Sequence, residues 1–249
     1  MPRAASHVAA VVPVYNHGGP VSGVVQALRA QGLSVLLVDD GSEPGCAAVL
    51  DALAAADAAV RVLRLPVNQG KGGAMIAGLT EAQRLGFTHA LQIDADGQHD
   101  TGDLPRFLAE SAAFPGHFIC GCPVYDASVP KGRLYGRYAT HVWVWINTLS
   151  FAVKDSMCGF RVYPLAPTVA RLTRTRIGRR MDFDVEIAVR LVWDGVKVRN
   201  VATRVRYPED GVSHFRALRD NLLISWMHTR LFFGMLPRLP LLVWRKVVA

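Results

Sequence analysis

The sequence predicts an α/β domain built on a mostly parallel central sheet flanked by helices. Short β-branched runs alternate with helical patterns of roughly 10 to 14 residues through the first half of the chain, the rhythm of a parallel sheet covered on both faces. Half of the 249 residues are apolar (51%), enough for a substantial core. Every polar cluster in that half falls where a strand ends, the edge at which parallel sheets bind ligands.

Taken in order, residues 8–14 read as a strand followed by Tyr15-Asn16-His17-Gly18-Gly19 and a helical pattern to Leu28. Residues 35–38 form a second strand ending in Asp39-Asp40-Gly41-Ser42, with a helix over 47–56. A third strand, 60–65, leads to Asn68-Gln69-Gly70-Lys71-Gly72-Gly73 and a helix over 74–84, and a fourth strand, 90–93, runs into Asp94. The second half is less regular: strands over 118–122, 159–163 and 197–206, helices over 132–151 and 183–193, and a helical, apolar, Arg-punctuated tail over 214–244. No internal repeat interrupts this, so the expected partition is one domain over 1–212 with a helical extension over 213–249.

The formal charge of +8 favours anionic partners such as nucleotides, nucleic acid or the anionic face of a membrane. The four cysteines, Cys46, Cys120, Cys122 and Cys158, are too scattered for a disulfide framework, and the C-x-C lacks the second ligand pair of a zinc site. Reduced, buried thiols and a cytoplasmic setting are expected. The N-terminus reads as a strand rather than a signal peptide, and no stretch of about 20 residues is apolar enough for a membrane span.

Three clusters carry chemistry. In "LQIDADGQHD" (91–100) Asp94 and Asp96 flank Ala95 beyond a buried strand, with Gln98 and His99 close behind. The segment is either a turn or, since two like charges this close are costly unless neutralised, an oxygen-ligand site for Mg²⁺ or Mn²⁺. Asp39 and Asp40 are likewise either a turn or acceptors for a base N–H and a ribose hydroxyl. "NQGKGGA" (68–74) places glycines and Lys71 before a helix, a cradle for phosphate. It matches neither the P-loop nor the dinucleotide fingerprint, which leaves a mononucleotide diphosphate plus a metal.

"VVPVYN", "VLLVDDGS", "NQGKGGA", "LQIDADGQHD", "DSMCGFRVYP" (155–164) and "MDFDVEI" (181–187), in this order, resemble glycosyltransferase family 2, nearest its dolichyl-phosphate mannose synthase-like branch, over residues 8 to 215. The resemblance implies a GT-A fold and inverting transfer from a UDP- or GDP-linked sugar. It assigns metal binding to Asp94 and Asp96 with Gln98 as a further ligand, the nucleoside to Pro13, Tyr15, Asn16, Asp39 and Asp40, and the diphosphate to Lys71. The branch's acceptor is a polyprenyl phosphate, already ionised, for which similarity places Lys131, Arg133, Arg137 and Arg161. Asp96 and Arg161 join the catalytic set. Where a base is needed, Asp182, Asp184 and Glu186 qualify, and two residues of spacing on a helix put Asp184 and Glu186 on different faces, so one alone is expected in the site. Ser213 and His214, in "YPEDGVSHF", would close over the leaving group or acceptor.

The tail "LLISWMHTRLFFGMLPRLPLLVWRKVVA" is expected to be an interfacial amphipathic helix on an anionic membrane surface, the alternative being a core helix. The expected protein is a peripheral enzyme on the inner face of the cytoplasmic membrane, acting on a lipid or lipid-phosphate acceptor. A hydroxyl on a glycolipid is the alternative acceptor. A nucleotidyltransferase would carry a Gly-rich basic signature where this chain has "PVYNHGG", and the dispersed basic residues form no recognisable nucleic-acid module, so no nucleic-acid partner is expected.

Overall fold

The computed structural model describes residues 7–124, 131–205 and 217–248. Seven strands form one sheet: β1 (Val8–Val14), β2 (Ser34–Asp39), β3 (Val60–Arg64), β4 (His89–Gln92), β5 (Phe118–Val124), β6 (Arg161–Pro164) and β7 (Val198–Arg204). Their order is β3-β2-β1-β4-β6-β5-β7. All neighbours are parallel except β6, which runs against both β4 and β5. Nothing in four residues of sequence announces that reversal. Its consequence is local: the beginning of β6, not its end, lies at the ligand edge, so Arg161 sits opposite Gln92 at the end of β4.

Period-two alternation in β1 feeds two cores. Ala9 and Val11 face one side with α3 (Lys71–Arg84), α6 (Leu165–Arg174) and α7 (Phe183–Trp193). Ala10, Val12 and Val14 face the other with α1 (Gly18–Ala30), α2 (Pro44–Ala56) and α4 (Leu104–Ala113). The sequence pattern missed α4 and α6. Both are short and carry a proline in the first turn, where the missing N–H costs nothing. Helix α3 begins at Lys71, ahead of the expected start at 74, because its first glycines sit inside the helix.

Helix α5 (Lys131–Thr148) packs beside α8 (Ala217–Met235), which is followed by α9 (Leu239–Val248). Ile224, Met227, Leu231, Met235 and Leu242 join the core shared with α3, α6 and α7, so the tail packs on the sheet's helical layer along one face. Its other face is apolar and exposed. Among the described residues no helix is long and apolar enough to cross a membrane.

His228 lies buried at the α5–α8 seam, its Nδ1 3.4 Å from Asn147 Nδ2 and its ring stacked on Trp143. Burial pushes its pKa down from 6.5 to about 4. The folded protein thus resists a proton that the unfolded chain accepts, and stability present above about pH 6.5 is lost as the pH falls toward about 4. Thermal melts across that range should show a drop that His228→Gln reduces; an equal drop in the variant would assign the acid sensitivity elsewhere.

Candidate active site

At the carboxyl ends of β1 and β2 the chain turns tightly. Asn16 has a left-handed φ of 58°. Its amide donates to Ser42 Oγ (3.1 Å) and its Oδ1 accepts from the Glu43 amide (2.8 Å). Asp39 is buried, accepting from the Ser42 amide and from Arg64 Nε, both at 2.9 Å. The oxygens of Asp39, expected at the nucleoside, thus organise the turn and tie β3 to β2.

Asp40 is buried as well, and its two oxygens accept from the amides of Gln69 (2.7 Å) and Gly70 (2.8 Å). Burial raises its pKa even so. The Gly73 amide goes to the Arg179 carbonyl at 2.9 Å. In the glycine-rich loop expected to cradle phosphate, a carboxylate and a carbonyl of the fold thus claim the amides of Gln69, Gly70 and Gly73. Its glycines also serve close approach. A Cβ on Gly70 would lie 2.7 Å from Arg179 O, and one on Gly72 2.5 Å from Phe183 Cβ.

Lys71 projects into the centre of the site. Its Nζ lies 2.8 Å from Asp94 Oδ1 and 3.0 Å from Asp184 Oδ2. Gln92, which sequence reasoning missed, donates to Asp184 Oδ1 (3.2 Å) and accepts from the Tyr163 hydroxyl (2.8 Å). Burial opposes ionisation of Asp94, but Lys71 and His99 overcome it and hold the carboxyl well below its usual range. His99 Nε2 stands 3.6 Å from Asp94 Oδ2. Gly159 leaves the room that the Asp94 carboxylate fills.

Asp96 contrasts with its neighbour. Its Oδ1 accepts only the Gln98 amide (3.0 Å), and no cation lies within ion-pairing distance of it among the described residues. Burial, and then the charge on Asp94, push its carboxyl up. A half-buried pair of hard oxygen donors with one member uncompensated fits a divalent cation. No group of three or more His, Cys, Asp or Glu side chains that could hold a metal gathers among the described residues, so any cation there would draw further ligands from a bound anion or water.

Of the three candidate bases, Asp184 alone touches this centre. Asp182 accepts from the Arg180 amide and fills the space beside Gly178. Glu186 is fully buried, bound by Arg190 (2.6 Å), Arg230 (3.1 Å) and the Gly178 amide (2.9 Å). Both of its oxygens are engaged there, joining α8 to the loop beneath α3.

The acceptor set also divides. Arg161 is fully buried and donates to the carbonyls of Cys158, Asp184 and Ser156, each at 2.6 Å. The guanidinium expected at the lipid phosphate is thus engaged by three carbonyls of the fold. Arg137 makes a two-pronged pair with Asp155 at 2.6 Å, and His141 Nε2 stands 3.2 Å from the same carboxylate. Lys131 and Arg133 stand in the first turn of α5, though their side chains, like Ser213 and His214, lie outside the described residues. Tyr15 and Pro13 are half-buried where β1 ends. The four cysteines are free, and burial pushes the Cys120 thiol up to about 12.

Residues 9–171 match the sequence profile described as Glycosyl transferase family 2. The undecaprenyl-phosphate mannosyltransferase of Micrococcus luteus is 36% identical over 165 residues, covering 63% of this chain and 65% of that protein. The polyprenol monophosphomannose synthase of Mycolicibacterium smegmatis is 32% identical over 218 residues, 82% of this chain and 78% of that one. A mannosyltransferase from Pyrobaculum calidifontis, solved with GDP-Man and Mn²⁺, superposes with a TM-score of 0.58 at 14% identity, over 95% of this chain and 66% of that one. That likeness shows the GT-A fold.

Proposed function

The chain belongs to glycosyl transferase family 2, and on that footing we propose that it moves a sugar from a UDP- or GDP-linked donor, with inversion, to a polyprenyl phosphate at a membrane surface. The observation that carries this is the carboxylate pair Asp94 and Asp96 facing Lys71 at the carboxyl edge of the sheet. The relatives named for polyprenyl-phosphate mannose transfer support the acceptor class.

Asp94 and Asp96 would hold Mg²⁺ or Mn²⁺, which supplies Lewis acidity at the departing diphosphate. Lys71 would meet the same diphosphate, steered by Asp184. A phosphate oxygen of the acceptor attacks the anomeric carbon as its bond to the diphosphate breaks, and the nucleoside diphosphate leaves. No proton needs removal from an ionised phosphate. That suits Asp184, whose two oxygens are engaged by Lys71 and Gln92, and it favours the phosphate acceptor over a hydroxyl. Labelled UDP- and GDP-sugars incubated with vesicles containing undecaprenyl phosphate should yield an organic-soluble glycosyl phospholipid and a nucleoside diphosphate. Release of pyrophosphate instead would contradict the reading.

Docking is assigned to two stripes. Leu218, Leu222, Trp226 and Phe233 line one exposed face of α8, and Tyr135, Tyr138, Val142 and Ile146 line one face of the adjacent α5. Aromatic side chains beside Arg219 and Lys246 suit the boundary of an anionic bilayer. Replacing Trp226 and Phe233 with serine should weaken cosedimentation with anionic vesicles by about ten-fold or more; unchanged association would remove α8 from the docking face.

A further inference from the structure

Lys71 stands where an incoming cation must compete. Its side chain is 19% exposed, and its ammonium bridges Asp94 and Asp184 at 2.8 and 3.0 Å. One member of the metal-binding pair therefore has an ammonium of the fold in direct contact, while Asp96, two positions on, makes no ion pair among the described residues and feels Lys71 and His99 from further off.

Resting on the donor-site reading above, we infer that Lys71 is a resident counter-cation, holding Asp94 while the site is empty and yielding it to a divalent metal when a nucleoside diphosphate arrives. A metal arriving alone must share Asp94 with an ammonium in contact with it, and like charges this close repel strongly in a half-buried site. A diphosphate changes the balance. Its oxygens accept the ammonium as Asp94 lets it go, while Asp184, on the neighbouring α7, keeps Lys71 inside the site. Metal and nucleotide then each raise the other's affinity, by the same factor.

The counter-cation role has a signature that general damage to the site does not share, because Lys71 opposes one ligand and attracts the other. Removing its charge should strengthen metal binding and weaken nucleotide binding. A disordered site would weaken both.

The experiment is Mn²⁺ titration followed by electron paramagnetic resonance, without and with UDP or GDP, on the wild type and Lys71→Met. In the wild type, Mn²⁺ should bind about ten-fold more tightly when the cognate nucleoside diphosphate is present. Without nucleotide, the variant should bind Mn²⁺ about ten-fold more tightly than the wild type, and its affinity for the nucleotide should fall. Equal or weaker Mn²⁺ binding by Lys71→Met overturns the inference. So does a wild type whose Mn²⁺ affinity ignores the nucleotide, a result that needs no variant to fold. If Mn²⁺ binds under no condition, the donor-site reading falls and takes this inference with it. Nucleotide-dependent Mn²⁺ binding with unaltered metal affinity in the variant removes the counter-cation alone.

Discussion

Asp96→Asn is expected to lower the transfer rate by about 10²- to 10³-fold, the usual cost of removing one group that stabilises charge developing on a leaving group. The same change should leave the fold as stable as the wild type, or slightly more so. Among the described residues Asp96 accepts one hydrogen bond, from the Gln98 amide, and its carboxyl is pushed up by burial and by the charge of Asp94. Neutralising it relieves like-charge repulsion and removes no ion pair. Asp94 is different, because Asp94→Asn would leave Lys71 with Asp184 as its one carboxylate partner among the described residues. Initial rates and thermal midpoints measured side by side separate these cases. Undiminished turnover in Asp96→Asn would contradict the metal role, and a large fall in midpoint would show that Asp96 supports the fold.

Arg161→Leu should act in the opposite way, through stability. The guanidinium satisfies three buried carbonyls and lies 3.6 Å from Asp184 Oδ1. Its loss strands all of them, and removing one partner of such a buried network costs about 3–5 kcal/mol. For a chain of this length that lowers the thermal midpoint by about 6 to 20 °C. The loop over residues 155–160, which meets Asp94 at Gly159, would loosen with it. A variant that keeps its midpoint and shows only a raised KM for the acceptor would instead return Arg161 to the lipid phosphate.

These two residues show what sequence does and does not reveal. Asp96 stands out in the sequence because two carboxylates one residue apart after a buried strand are costly without a partner, a local fact. The enclosure of Arg161 was not legible, because its acceptors are backbone carbonyls on its own loop and on α7, brought together by the reversed direction of β6. The parallel half of the sheet was legible for a related reason: β-branched runs ending in polar clusters report their own position. Helices α4 and α6 were not, since each is short and carries a proline in its first turn. "NQGKGGA" marks a place where backbones touch, and the amides of Gln69, Gly70 and Gly73 are taken by Asp40 and by the Arg179 carbonyl. Nothing near residue 70 in sequence tells that residues 178–180 cover it. The tail was read as an interfacial helix or a core helix, and it has the features of both: one face lies in the core, and the other presents Leu218, Leu222, Trp226 and Phe233.

The central claim is that Asp94 and Asp96 hold a divalent cation against a sugar nucleotide. Calorimetric titration of the purified protein with UDP, GDP and their sugar conjugates, with and without Mn²⁺, tests it most directly. One nucleotide should bind, should need the metal, and should fail to bind Asp96→Asn. Folded protein that binds none of them, or that binds one indifferently to Mn²⁺, would contradict the claim.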